Sequence, residues 1–154
     1  MTVADEENNN VESYIHRFSP YGSLIIKLAS AHRLAVTKKI RSLDLYPGQE
    51  MVLLALSEKQ PCSQSDLSQH LCVDHSTVTT SLTRMEKSGL IVREKSSKDR
   101  RVTLVKLSKT GSEKAKSVQN IMIDIEKKMI ISLSDQDKKL FFQITKIIED
   151  NLMN

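Results

Sequence analysis

Several kinds of protein are excluded by what this chain has little of. It contains no Trp, and aromatic residues make up only 4% of it. Any core must therefore be assembled from Leu, Ile, Val and Met. Four Gly in 154 residues leave no glycine-rich loop to cradle a phosphate, and neither G-x-G-x-x-G nor a P-loop occurs. Motifs of the HExxH and G-x-S-x-G kinds are also missing, so neither a zinc protease nor a hydrolase nucleophile elbow is indicated. Cys62 and Cys72 are the only cysteines, too few for a secreted disulfide framework, and such residues serve most often as small hydrophobes. The carboxylates of Asp135 and Asp137 fall where a helix starts, a place explained by capping and the helix dipole. No secretory signal, lipidation motif or run of membrane-spanning length is seen, which leads to the expectation of a cytoplasmic protein of a prokaryote-like cell. The expectation is a non-enzyme, without cofactor, metal or membrane partner.

The chain does have enough apolar residues, 39%, for one globular domain, together with 27% charged residues and a net charge of +4. The distribution of charge says more than its sum. From Arg93 to Lys109 there are seven basic residues against two acids, Glu94 and Asp99. A concentration of this kind is the footprint of phosphate contacts and points to a polyanionic partner.

That run belongs to a longer unit, from Ser63 to Gly111. Ser63 can cap a short helix with Asp66 three residues on, and Leu67 and Leu71 lie one turn apart along it. Asp74 can cap a second helix, whose apolar positions Val78, Leu82 and Met85 are spaced four and three. Two short helices across a tight turn make a helix-turn-helix. The polar positions of the second helix are nearly all Ser and Thr, residues of low helix propensity that can meet base edges and phosphates without filling a major groove. Ser88-Gly89 stops the helix. Leu90 to Val92 and Val102 to Leu107 read as strands, with Arg93 to Arg101 as the tip of a β-wing suited to a minor groove. Duplex DNA is the partner this arrangement implies. Ser76, Thr77, Thr79, Thr80 and Thr83 are expected at the major groove, with Arg84 at the same site securing phosphate or the domain itself. Ser63, Gln64, His75, Lys95, Lys98, Arg100 and Arg101 are expected at the backbone and wing. Asp99, two residues before Arg101, could hold its guanidinium in a planar, bidentate pair if both lie on one arm of the hairpin.

Asp99-Arg100-Arg101 followed by Leu104, Leu107-Ser108 and Gly111 resembles the D-x-R…L-[ST]-x-x-G wing motif of the MarR (multiple antibiotic resistance regulator) family. Leu67, Leu71, Ser76 to Thr79, Leu82, Arg84-Met85-Glu86, Gly89 to Ile91 and Arg93 are similar to that family's recognition-helix block. The resemblance implies a winged-helix fold, dimerisation and a role in transcriptional regulation, as a repressor released by a small aromatic or anionic effector. Tyr14, His16, Tyr21, His32 and Arg33 are the conceivable effector-pocket residues. The chain departs from the pattern at Thr80, where many members carry Arg, so its base preference is its own.

Around this unit the expected order is a disordered segment at 1–10, a helical region at 11–42, the winged domain at 45–109 and long helices at 110–154. The fold class is mainly α with a small β-wing (α+β), a winged helix-turn-helix flanked by long N- and C-terminal dimerisation helices. Ser19-Pro20 opens the first long helix, whose stripe runs through Tyr21, Leu24, Leu28, Ala31 and Ala35. Pro47 suits the first turn of the next, and Cys62 a short third strand. Ala115, Val118, Met122, Ile125 and Met129 step at heptad spacing. Ser134 and Asp137 box the start of the last helix, which carries Leu140, Phe141, Ile144, Ile147, Ile148 and Leu152. These helices hold more apolar surface than a small winged domain can cover, and burial against a second copy accounts for it. An alternative is metal or redox sensing through Cys72, His70 and His75. It is disfavoured because residues two apart on a helix diverge, Cys72 fits a half-buried position at the turn, and neither thiol sits in the exposed basic setting that lowers a pKa.

Overall fold

A computed structural model describes residues 16–154; the segment expected to be disordered and Tyr14 fall outside them. Helix α1 covers Pro20–Ile40, with Pro where a first-turn N–H would lack a partner anyway. Ser19 precedes it without a side-chain cap; its carbonyl instead accepts Ser23 N at 2.8 Å. A 3₁₀ turn, Arg41–Leu43, follows, closed by Asp44 in the left-handed region at φ 54°, which Asp tolerates better than most residues.

Helix α2, Gln49–Glu58, is preceded by Gly48 at φ 92°. Pro47 is not in its first turn as expected but in the turn ahead of it. Two polar side chains fold back to close that turn. Gln49 Oε1 accepts Tyr46 N at 3.0 Å and Glu50 Oε2 accepts Gly48 N at 2.7 Å, which satisfies two backbone donors of the turn and gives both buried side chains a partner.

Strand β1 is Cys62–Ser63, helix α3 Gln64–Leu71 and helix α4 His75–Lys87; β2 is Ile91–Lys95 and β3 Thr103–Leu107. The sheet order is β1-β3-β2, antiparallel throughout, with Cys62 opposite Val105 on one side and Arg93 opposite Val105 on the other. β2 thus runs three residues further than expected and the hairpin tip is shorter, because Arg93, Glu94 and Lys95 pair with Val105, Leu104 and Thr103. Their charged ends are accommodated across the strands. Lys106 Nζ meets Glu94 Oε2 at 2.5 Å as a diagonal neighbour, and Lys95 Nζ donates to Thr103 Oγ1 at 3.0 Å.

The core gathers where α2 is wrapped by the rest. Leu53 and Leu56 of α2, Ile40, Leu67, Leu82, Met85, Ile91, Val105 and Val118 are fully buried, each large aliphatic contributing roughly 1.5–3 kcal/mol by leaving water. Helix α5, Lys109–Ile130, adds Ala115, Val118 and Ile125 to this core and half-buries Met122, while Met129 remains exposed. Two helices keep uncovered apolar sides within the single chain. Of α1 only Ser23, Val36 and Ile40 are buried, and the stripe of Tyr21, Leu24 and Leu28 is exposed. Helix α6, Asp135–Met153, has its Ser134–Asp137 capping box but no buried residue at all. The C-terminal end of α1 packs into the core through Val36 and Ile40, while its N-terminal stripe and the apolar side of α6 are left uncovered in their own chain. Among the described residues no helix is long and apolar enough to cross a membrane.

Candidate nucleic-acid interface

The two helices of the turn are each started by local chemistry. Ser63 Oγ accepts Asp66 N at 3.1 Å, and Asp66 Oδ2 accepts Ser63 N at 2.9 Å, the reciprocal capping box read from the sequence. The Ser63 hydroxyl and N–H hold the Asp66 carboxyl below its ordinary pKa. α3 stops at Cys72, which adopts φ 52° and is exposed, not half-buried as expected. Its Sγ lies 3.8 Å from Gln69 O, back along the last turn of α3. Asp74 then accepts Ser76 Oγ at 2.5 Å, Thr77 Oγ1 at 2.6 Å and Thr77 N at 2.9 Å. Those bonds, the Ser76 hydroxyl first, draw its pKa far down, keeping a full charge at the positive end of α4. α4 ends in a Schellman arrangement, Gly89 at φ 71° with Leu90 N donating to Met85 O at 2.8 Å and Gly89 N to Glu86 O at 3.0 Å.

With Val78, Leu82 and Met85 buried inward, the 3.6-residue period assigns the other sides of α4. Ser76 and Thr80 lie outermost and exposed, in line with Lys87. Thr79 and Thr83 turn out to be half-buried on one flank. Gln64 Nε2 bonds Thr79 Oγ1 and lies 3.2 Å from His75 Nε2, and Arg93 Nη2 donates to Thr83 Oγ1 at 3.2 Å. The other flank, with Thr77, Ser81 and Arg84, borders a groove of about 270 Å³ shared with Tyr46 and Pro47. The expected face is therefore split in three. Thr79, Thr80 and Thr83 each donate their hydroxyl hydrogen to the carbonyl four residues back, at 2.7, 2.9 and 2.8 Å. What such a threonine presents outward is a methyl group and acceptor lone pairs.

The wing tip is held by Ser96 N to Val102 O at 3.0 Å and Val102 N to Asp99 O at 2.9 Å. Asp99 Oδ1 accepts Arg101 N at 2.9 Å and stands 3.7 Å from Arg101 Nε. The expected bidentate grip is absent. Both residues lie in the tip turn, not on an arm, so the carboxylate fixes Arg101's backbone and leaves its side chain 96% exposed. Lys98 and Arg100 are likewise exposed, whereas Lys95 is tied to Thr103. Lys87 and Tyr46 were not singled out from the sequence; continuing the step from Ser76 and Thr80 would have reached Lys87, but Tyr46 comes in only through packing.

The conceivable effector residues are not brought together. Tyr21, His32 and Arg33 are exposed along α1, over about 18 Å at the helical rise per residue, and His16 Nδ1 lies 3.1 Å from Ser23 Oγ. A hollow of about 450 Å³ beside α3 is lined by other side chains, among them Ala55, Glu58, Cys62 and His70. Burial, with the Asp66 charge behind it, pushes the Cys62 thiol up, away from thiolate chemistry. Among the described residues no group of three or more His, Cys, Asp or Glu is placed to hold a metal.

A helix-turn-helix backed by α2, followed by a two-stranded wing and a short third strand, defines the winged-helix class. Residues 45–103 match the MarR family model, so over this domain the chain is similar to a family of transcriptional regulators. It is 27% identical over 133 residues to the Bacillus subtilis HTH-type transcriptional regulator YwoH, covering 86% of this chain and 91% of that one. The same organism's regulator YdgJ is 28% identical over 103 residues, 67% of this chain but only 63% of YdgJ. Among solved structures, a cysteine-to-serine mutant of Escherichia coli MarR complexed with operator DNA superposes with a TM-score of 0.80 at 21% identity, over 87% of this chain and 96% of that one. Staphylococcus aureus MepR in a DNA complex gives 0.78 at 21% identity, over 84% and 97%.

Proposed function

We propose that the protein is a sequence-specific DNA-binding transcriptional regulator of the cytoplasm that binds a pseudo-palindromic operator as a homodimer. The observation that carries this reading is that Ser76, Thr80 and Lys87 of α4 lie exposed with no acid on the outward line, and that Lys98, Arg100 and Arg101 of the wing tip that follows it are exposed as well. Hydroxyls and methyls at a major groove flanked by cations at the backbone meet both needs of a DNA reader, base contact and phosphate neutralisation. Because the threonine hydroxyl hydrogens are spent on the helix, Thr80 favours donors and methyls at base edges, such as an adenine or cytosine amino group or the thymine methyl. Relatives of like fold caught with DNA, MarR and MepR, support the assignment. The roles we assign are base reading for Ser76, Thr77 and Thr80, phosphate contact for Arg84, Lys98, Arg100 and Arg101, and support at the turn for Ser63, Gln64 and His75.

The homodimer rests on α1 and α6, whose Leu24, Leu28, Leu140, Ile144 and Ile147 are exposed in the single chain; a two-fold partner using α1, α5 and α6 covers them. Repression by occupying promoter DNA, and release by a small aromatic or anionic effector, complete the proposal. A similar structure, PcaV of Streptomyces coelicolor with its natural ligand, supports the effector. His16, Tyr21, His32 and Arg33 could enclose one only with the partner's helices.

The test is an electrophoretic shift and footprint on the DNA upstream of the protein's own gene. The reading expects saturable retardation, and protection of two half-sites about one helical turn, roughly 10 bp, apart. Equal binding to that DNA and to random duplex, or a footprint on one half-site alone, refutes it.

A further inference from the structure

We propose that Arg93 is a positioning residue that locks the wing to α4, so that the two elements meet duplex DNA as one rigid unit. This rests on the DNA-binding reading above and adds a role that the base-facing and phosphate-facing residues do not supply. Arg93 lies on β2 opposite Val105, with its side chain 22% exposed. Its guanidinium reaches two partners one turn apart on the same flank of α4. Nη2 donates to Thr83 Oγ1 at 3.2 Å, and Nε stands 3.2 Å from Glu86 Oε2. The second contact is an ion pair without hydrogen-bond alignment, for Nε is buried yet has no directed acceptor. A planar fork spanning two residues fixes an angle, which the point charge of a lysine could not do.

The covalent link between the same two elements is short. α4 ends at Lys87, and β2 begins at Ile91 after Gly89 in the left-handed region. Buried Leu90 and Ile91 anchor the base of the hairpin and β1 holds its β3 arm at Leu104 and Val105, which leaves the β2 arm, the one that faces α4, to be held by Arg93. From its base at Ile91 to the tip turn that opens at Ser96 the hairpin spans five residue steps, roughly 16 Å at 3.3 Å per residue, so a pivot of about 7° at the base displaces the tip by about 2 Å. A shift of that size carries Arg101 off its contact while α4 remains seated. Thr83, on this account, serves as the socket for the clamp and not as a base reader.

The experiment is a double-mutant cycle read by fluorescence anisotropy, on the operator duplex and on a random duplex at one salt concentration. Wild type, Arg101→Ala, Arg93→Met and the double variant are compared, with melting temperatures measured in parallel. The expected result is that Arg101→Ala weakens operator binding about 5- to 150-fold in the wild-type background and less than about 3-fold in the Arg93→Met background, because a wing already out of register has little left to lose. Glu86→Gln, a change at a half-exposed site, removes the charge partner without touching the core and should reproduce part of that attenuation even if Arg93→Met folds poorly. A penalty for Arg101→Ala that is undiminished in both backgrounds overturns the clamp while the DNA-binding reading stands. Absence of any duplex binding by the wild type overturns both.

Discussion

Replacing Gly111 by Ala sets local propensity against tertiary packing with opposite signs. Gly111 is the third residue of α5, where an alanine should favour the helix by up to about 1 kcal/mol. A Cβ built there, however, stands 1.9 Å from Leu90 O and 2.9 Å from Leu90 C. The struck atom is backbone and cannot swing aside like a side chain. It also accepts Ser108 N at 3.0 Å, the bond that fastens the start of α5 to the end of the recognition helix, and the Ser108 hydroxyl donates to Gly89 O at 2.6 Å beside it. Relieving the clash means moving the helix start or giving up that bond. Overpacking costs about 1–3 kcal/mol and a broken buried hydrogen bond about 1 kcal/mol more. Against the propensity gain, a net loss of roughly 1–3 kcal/mol follows. At about 2–4 °C per kcal/mol for a chain of this size, the Tm should fall by roughly 2–12 °C. Thermal and urea denaturation followed by circular dichroism at one fixed protomer concentration measures it, the concentration being held because association shifts Tm. A variant melting at or above the wild-type temperature would show that the close approach at Leu90 does not constrain the fold, and the reasoning would be wrong.

Other perturbations test the remaining parts. Asp74→Ala should destabilise the protein at neutral pH. Since the folded carboxyl is held below its unfolded value of about 3.9, its contribution is whole above that pH and disappears as acid titrates the folded group. Urea midpoints of wild type and variant should therefore differ by a constant amount above about pH 5 and converge below about pH 4; a gap that does not narrow there contradicts the capping role. Arg101→Ala should cost on the order of 1–3 kcal/mol of operator binding with folding intact. Asp99→Ala should also weaken binding, despite removing a negative charge, because it frees the Arg101 backbone N–H; tighter binding at low salt with no loss at physiological salt would make Asp99 a bystander. Thr80→Ala should alter the preferred operator sequence more than the affinity for random DNA, as a binding-site selection would reveal, and an equal loss on both would remove Thr80 from the reading face. Ile147→Glu places a charge on the uncovered side of α6, and sedimentation at micromolar concentration should show a protomer where the wild type shows a dimer; an unchanged species would place the interface elsewhere.

What the sequence by itself determined about this protein was whatever depends on residues within a few positions of one another. The Ser63–Asp66 and Ser134–Asp137 boxes, the Asp74 cap and the Gly89 stop all stand where they were expected. A cap joins residues three apart, and one turn of backbone geometry brings them together whatever the rest of the chain does. The mainly α architecture with a small wing was legible for a related reason, since apolar periods of 3.6 and β-branched runs state which side of each segment must be covered. Only the tertiary structure decided which neighbour does the covering. The hydroxyl residues of α4 look alike in sequence, yet Thr80 stays outside while Thr79 and Thr83 turn inward, because Gln64 approaches from α3 and Arg93 from β2. The strand passes through Arg93, Glu94 and Lys95 because β3 offers them partners across the ladder. Pro47 lies ahead of α2 because the Gln49 and Glu50 side chains close that turn from within the helix. The Asp99 carboxylate goes to a backbone N–H because the tip turns earlier than a regular arm would. A polar side chain is committed by the donor or acceptor that reaches it first, and for partners far along the chain that is settled by how helices and strands pack, not by the spacing of letters.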